Sequence, residues 1–286
     1  MFAIKHILFP IDFSERCNAA APRVAAFAAI FGAKVTLLNV VPPIWLTPME
    51  AAPIAIDLNA IKRGWEIRLN GSFVTEFQGM DVQRLVEIGV PGEYITEFAE
   101  KREVDLIMMP THGYGPFREF LLGSVTAKVL HDCNIPVWTS AHIDEPTAPI
   151  HDEVRTVLCA VDVPAKSKAL LESASELARS LSAELRLVHV VPAPTAWPDP
   201  FLGAKLEKEI IDELCLSFGE LQKSLDILAP LCIEIGDVAT GVREAARRYG
   251  ADLIAIGRGV GHERLGRLRT NAYAIIRRSP CPVISF

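Results

Sequence analysis

Apolar residues fall into two patterns that alternate along the chain. Compact apolar runs at about 4–11, 34–41, 82–89, 104–109 and 135–140 lack in/out alternation, which predicts short strands covered on both faces. Between the first two runs, Cys17, Ala20, Val24, Phe27, Ala28 and Phe31 recur at helical spacing. Ser14 stands before them as the predicted N-cap, and Gly32 follows as the predicted stop. Further helices are predicted at about 55–78, 92–103 and 124–132. The same order then returns, with strands predicted near 154–161, 185–191, 231–236, 252–257 and 282–286. Strands alternating with helices through right-handed crossovers predict an α/β, Rossmann-like fold: two tandem doubly wound domains, each a five-stranded parallel sheet.

The return is a duplication. His6–Asp12 (HILFPID) aligns with Thr156–Asp162 (TVLCAVD), and Leu37–Pro42 aligns with Leu187–Pro192, both at an offset of 150. Asp105-Leu106-Ile107 aligns with Asp252-Leu253-Ile254 at 147, and Pro136-Val137 with Pro282-Val283 at 146. Small steps in the offset are what short loop deletions between two copies of one domain produce. The expected domains are 1–145 and 151–286. The stretch from Ala141 to Glu153, with Pro146, Pro149 and four acidic residues, reads as an exposed linker.

Composition narrows the function classes. Of 286 residues half are apolar and 22% charged, enough buried Leu, Ile, Val and Ala to offset ordering entropy and so to exclude disorder as the main theme. The apolar stretches fall short of the roughly 20 residues a bilayer needs, so no membrane span is expected. A net charge of −6 argues against general binding of nucleic acid or anionic membrane. The apolar run near the N-terminus ends at Pro10 and Asp12, as a buried strand does and an export signal does not. A cytoplasmic location is therefore expected. Six cysteines form no CxxC and sit in apolar stretches, so reduced core thiols are expected.

Candidate chemistry gathers after the fourth strand of the first half. That strand ends at Met109, a loop through His112, Gly113 and Gly115 follows, and Gly123-Ser124-Val125-Thr126 opens a helix. Free amides at a helix N-terminus, with Ser and Thr hydroxyls beside them, make an anion site. Asp12 ends the first strand, which neighbours the fourth in this winding, so its carboxylate faces the same crevice. On spacing alone a plainer reading stands beside this one: Gly123-Ser124 as an ordinary helix start, and Asp12 as a cap of the first helix. His112 has no second His or Cys at ligand spacing, so no zinc site is expected. His189, in the place of Asn39, reads as a satisfied core histidine.

The spacing Pro110-x2-Gly113-x9-Gly123-Ser124 resembles the nucleotide motif of the universal stress protein family, Gly-x2-Gly-x9-Gly-(Ser/Thr), at three of its four positions. Each half of the chain is similar to one complete domain of that family. The resemblance implies that Asp12 and the backbone at Val40 hold adenine and ribose, and that His112, Gly113, Gly123, Ser124, Val125 and Thr126 wrap the phosphates. Pro10 and Met109 complete the implied nucleotide-contacting set. The implied ligand is ATP, or AMP or ADP, accompanied by Mg²⁺ or Mn²⁺. Pro110 stands where the motif has its first glycine, which removes an amide donor and fixes φ.

The second half keeps Asp162, but Arg269 stands where the first has Gly123, and Arg258, Arg264, Arg267 and Arg269 crowd its loop. A solvated basic loop packing on the other domain is expected there, with an anion held by those side chains as the alternative, and hence one nucleotide site, in the N-terminal half. The implied function is a nucleotide-dependent stress sensor or interaction module acting on an unknown protein partner. Asp12 and His112 are the only base candidates in the crevice, so hydrolysis is at most slow. The alternatives are a nucleotide-free scaffold or chaperone-like protein, and an enzyme of the wider adenine-nucleotide α-hydrolase type, for which no HxGH signature is present. The resemblance also implies pairing of the two domains within the chain through 135–140 and 282–286, and allows a homodimer.

Overall fold

The structure, a computed structural model, describes residues 4–43, 57–112, 122–141, 153–192, 200–258 and 270–286. The chain divides into two compact units, one built around Ala3–Ser140 and one around Ala141–Arg264 and Leu268–Phe286. The expected linker lies almost wholly outside the described residues.

In the first unit the elements run β1 (His6–Pro10), α1 (Glu15–Phe31), β2 (Lys34–Val41), α2 (Leu58–Asn70), β3 (Val82–Ile88), α3 (Pro91–Lys101), β4 (Leu106–Met109), α4 (Ser124–Asp132) and β5 (Val137–Thr139). All strand pairs are parallel, in the order β3-β2-β1-β4-β5. The second unit repeats this with β6 (Thr156–Ala160), α5 (Pro164–Ser180), β7 (Glu184–Val191), α6 (Pro200–Ser224), β8 (Leu231–Ile235), α7 (Val238–Arg248), β9 (Leu253–Ile256), α8 (Thr270–Arg278) and β10 (Val283–Ser285). Its order is β8-β7-β6-β9-β10, again parallel. The α/β fold with a five-stranded parallel sheet in each half is as the pattern predicts. In each sheet the winding reverses where the first strand meets the fourth, so the crevice opens beyond the C-terminal ends of those strands.

The local signals act as read. Ser14 caps α1, its hydroxyl accepting from the Cys17 amide at 3.2 Å. Gly32 ends the helix in the left-handed region, φ 60°, and its amide reaches back to the Ala28 and Ala29 carbonyls. Phe9, Phe27, Leu37 and Leu106 are buried at the heart of the unit, each contributing about 1.5–3 kcal/mol by leaving water.

Three readings need correction. The helix expected to reach residue 78 stops at Asn70. Phe73 and Phe77 continue the apolar rhythm, but they bury themselves from successive turns, Phe73 at φ 57° with its ring edge-on to Phe9 at 6.1 Å. The strands are not all doubly covered: β3 and β8 lie at sheet edges and most of their residues are half-exposed. The cysteines are not all core thiols, since Cys215 is exposed and Cys232 half-buried; none of the six is in a disulfide. Among the described residues no helix is long and apolar enough to cross a membrane.

Candidate functional site

Strand register brings the first-unit residues to one level. Pro10 pairs with Leu38 across β1 and β2, so Asp12, two residues past Pro10, lies level with Val40 of β2. Leu8 pairs with Ile107 across β1 and β4, which sets Met109 beside Pro10 and Thr111 beside Asp12. Pro10, Val40 and Met109 are buried, while Asp12 is exposed.

Asp12 does not cap α1 directly. Its Oδ1 accepts from the Ser14 amide at 2.9 Å and the Ser14 hydroxyl at 2.7 Å, and Ser14 in turn caps the helix. The carboxylate is thus held at the crevice mouth with its position fixed by the helix it precedes. Behind it, Asn39 donates from Nδ2 to the Ile11 carbonyl at 2.7 Å, and its buried Oδ1 has no hydrogen-bond partner among the described residues. His189 makes the same bond at the same place in the second unit, Nδ1 to the Val161 carbonyl at 3.0 Å, and packs against Phe218. The satisfied core histidine expected from sequence is what the fold contains.

The phosphate end is laced to β4. The Gly123 amide donates to the Thr111 carbonyl at 2.9 Å, and the Thr126 hydroxyl donates to the Pro110 carbonyl at 3.0 Å. Thr111 Oγ1 stands 3.2 Å from His112 Nδ1, and both residues are buried. A Cβ on Gly123 would lie 3.0 Å from His112 Cα and 3.3 Å from the Thr111 oxygen, so the packing of the loop ends itself favours a glycine here. Gly123 offers no side-chain cap, and helix geometry leaves the amides of Ser124, Val125 and Thr126 without an intrahelical acceptor. Ser124 is exposed, Val125 half-buried and Thr126 buried. An anion at this helix start would therefore meet three amides and the Ser124 hydroxyl, because the Gly123 amide and the Thr126 hydroxyl already serve the protein. Gly113 lies outside the described residues.

The profile of the universal stress protein family matches residues 3–140 and again residues 153–285. The chain belongs to the universal stress protein family. Universal stress protein MJ0577 of Methanocaldococcus jannaschii is 30% identical over 149 residues, covering 46% of this chain and 92% of that protein. Universal stress protein MJ0531 of the same organism is 33% identical over 135 residues, covering 46% of this chain and 79% of that one. A crystal structure of a universal stress protein from Archaeoglobus fulgidus matches in fold, with a TM-score of 0.68 at 22% identity, covering 99% of this chain and 96% of that one.

Sequence reading missed several groups around the first universal stress domain's crevice. Thr111 anchors both His112 and Gly123, and nothing in its residue type announces this. Phe13, directly after Asp12, is buried at φ 60°, a conformation that costs an L-residue about 1–2 kcal/mol. Its ring stacks on Trp65 at 5.5 Å, and the Arg68 guanidinium lies over it at 4.1 Å, so α2 clamps the residue that follows the carboxylate.

The second universal stress domain carries a cavity of about 1070 Å³ at the equivalent place, bordered by Asp162, Val190, Gly257, Arg258 and Asn271. The solvated basic loop expected there is overturned at Arg258, which is 4% exposed. Ala160 pairs with Ile256, so Arg258 leaves the sheet level with Asp162. Arg264, Arg267 and Arg269 lie outside the described residues.

Proposed function

We propose that the first domain binds an adenine nucleotide, ATP or its AMP or ADP relatives, and that the protein acts as a nucleotide-dependent sensor or interaction module in stress response. The observation that carries this reading is the start of α4: three amides without intrahelical acceptors, no side-chain cap, and the Asp12 and Val40 level of the crevice beside them. The helix dipole contributes about 0.3–1 kcal/mol toward an anion there. Ribose hydroxyls suit Asp12, whose Oδ1 is already oriented by Ser14. Among the described residues no group of three or more His, Cys, Asp or Glu is placed to hold a metal ion, so Mg²⁺ or Mn²⁺ would be held chiefly by the phosphate oxygens. Hydrolysis is slow in this reading, since Asp12 is assigned to the nucleoside and His112 is buried against Thr111.

A nucleotide-free scaffold is the rival reading, and one observation favours it: the packing contacts of Gly123 explain that glycine without a ligand. Titration calorimetry with Mg²⁺-ATP separates the two. Ser124 is the first residue of α4, and Gly123 before it has φ −57° and ψ 141°, which suits a following proline. Ser124→Pro therefore removes one amide and the hydroxyl while keeping the helix. A large loss of binding heat in this variant supports nucleotide binding at α4; equal heats, or none from either protein, leave the scaffold.

A further inference from the structure

β8 is the outer strand of the second domain's sheet, and its free side has a defined hydrogen-bonding phase. The Leu187 amide donates to the Pro230 carbonyl at 2.8 Å, and the Gly236 amide to the Val191 carbonyl at 2.9 Å. In a parallel ladder these two bonds mean that Cys232 and Glu234 turn their backbone groups toward β7. Leu231, Ile233 and Ile235 turn theirs outward, where among the described residues no strand meets them. The composition of β8 leaves this edge unguarded. β3, the outer strand of the first domain, carries Gln83, Arg84 and Glu87, polar and charged residues of the kind that protects an edge. β8 has no lysine or proline, and its single charge, Glu234, is met by the Arg248 guanidinium at 2.5 Å. Ile235 is 41% exposed, and Leu228, shortly before the strand, is 100% exposed.

We propose that β8 pairs antiparallel with β8 of a second copy of this chain, about a twofold axis at Ile233. The register follows from the phase. With Ile233 opposite itself, Leu231 faces Ile235 of the partner subunit, and every such pair joins outward-turned backbone groups that exchange both hydrogen bonds. Leu231, Ile233 and Ile235 of the two chains then form one apolar patch on one face of the joined sheet. On the other face Cys232 opposes Glu234 of the partner subunit. Arg248 Nη1 lies 3.8 Å from Cys232 Sγ, so each guanidinium stands between its own Glu234 and the opposing one, and the charges across the axis are complementary. Centring on Cys232 instead sets Ile235 against Ala229, whose amide already donates to Gln222 Oε1 at 2.8 Å. Centring on Glu234 opposes two like charges. Because β3 is guarded, the contact closes as a dimer and does not extend into a filament. The inference stands apart from the nucleotide reading of the first domain.

Sedimentation equilibrium of the full chain is the test, from about 1 to 300 μM because a contact of one strand edge is of the weak class. Wild type moves from monomer toward dimer mass across that range. Ile233→Lys and Ile233→Glu each set like charges together on the axis and raise the dissociation constant by about tenfold or more, while an equimolar mixture of the two regains association. Val82→Lys on β3 leaves the dimer unchanged. Far-ultraviolet circular dichroism checks that the variants fold, and Ile235→Lys, at a position already 41% exposed, carries the same expectation if residue 233 does not tolerate charge. A monomer at every concentration overturns the proposal and leaves the edge to an extended segment of another protein. A dimer that the folded Ile233 and Ile235 variants leave intact overturns it too, as does one that Val82→Lys dissociates. So does a mixture of the Ile233→Lys and Ile233→Glu chains that stays monomeric.

Discussion

The Gly123 amide donates to the Thr111 carbonyl over 2.9 Å, so the start of α4 is joined to the exit of β4. Gly123→Ala places a methyl 3.0 Å from His112 Cα and 3.3 Å from the Thr111 oxygen. Overpacking of this kind costs about 1–3 kcal/mol. The expected result is a lower urea midpoint for Gly123→Ala without nucleotide, against near wild-type stability for Ser124→Pro. Identical midpoints for wild type and Gly123→Ala would remove packing as the reason for the glycine.

Thr126 makes a second tie. Its buried hydroxyl donates to the Pro110 carbonyl at 3.0 Å, and Thr126→Val keeps the shape while orphaning that carbonyl. A loss of about 1 kcal/mol in unfolding free energy is expected before any ligand is added. If the hydroxyl served a phosphate alone, ligand-free stability would not move.

Phe13 inverts the usual order of small residues. At φ 60°, alanine carries the left-handed penalty and glycine does not. Both substitutions lose the stack on Trp65 and the Arg68 contact. Phe13→Gly is therefore expected to be more stable than Phe13→Ala by about 1 kcal/mol in chemical denaturation. The ordinary ranking, alanine above glycine, would show that the backbone at residue 13 relaxes on truncation.

His6 gives the first domain a pH dependence with a defined sign. Its ring lies between the Thr36 hydroxyl, 2.8 Å from Nε2, and the Arg102 carbonyl, 3.1 Å from Nδ1. Burial lowers its pKa below the ordinary 6.5, outweighing the carbonyl contact that raises it. The unfolded chain then takes up a proton at a higher pH than the native one. Stability is full above about pH 6.5 and falls as pH drops through that value toward the lower native one. His6→Gln should flatten this part of the stability profile between pH 7 and 5, and an unchanged slope would assign it to other groups.

Thiol chemistry should divide the cysteines by depth. Burial pushes Cys17 and Cys159 up to about 12, while Cys215 is exposed on α6. An aromatic disulfide reagent at pH 8 is expected to modify Cys215 in the native protein, and Cys17 and Cys159 only after unfolding. Mass mapping of the labelled peptides checks the order.

How far the sequence could be read depended on whether a signal was periodic or positional. The constant shift between His6–Asp12 and Thr156–Asp162 foretold two sheets of one design, and Ser14 and Gly32 marked both ends of α1. The end of α2 was hidden because Phe73 and Phe77 keep a helical spacing while occupying turns. Arg258 was misjudged by counting arginines along a loop. Its alignment with buried Thr111 at the offset of Asp105 and Asp252 was the better guide to its depth. Phe13 gave no warning, since an aromatic residue carries no mark of left-handed backbone.

The two domains also begin their first helices differently. Ser14 ties down an amide of α1, whereas α5 starts at Val163-Pro164 with no side-chain cap. The opening turn of α5 is thus the looser of the two, and its backbone hydrogens should trade with deuterated solvent sooner than those of α1. Ala165, Lys166 and Ser167 of that turn border the second domain's cavity. Faster exchange at Ala165, Lys166 and Ser167 than at Glu15, Arg16 and Cys17 would show that the rim of this cavity can open without disturbing the sheet beneath.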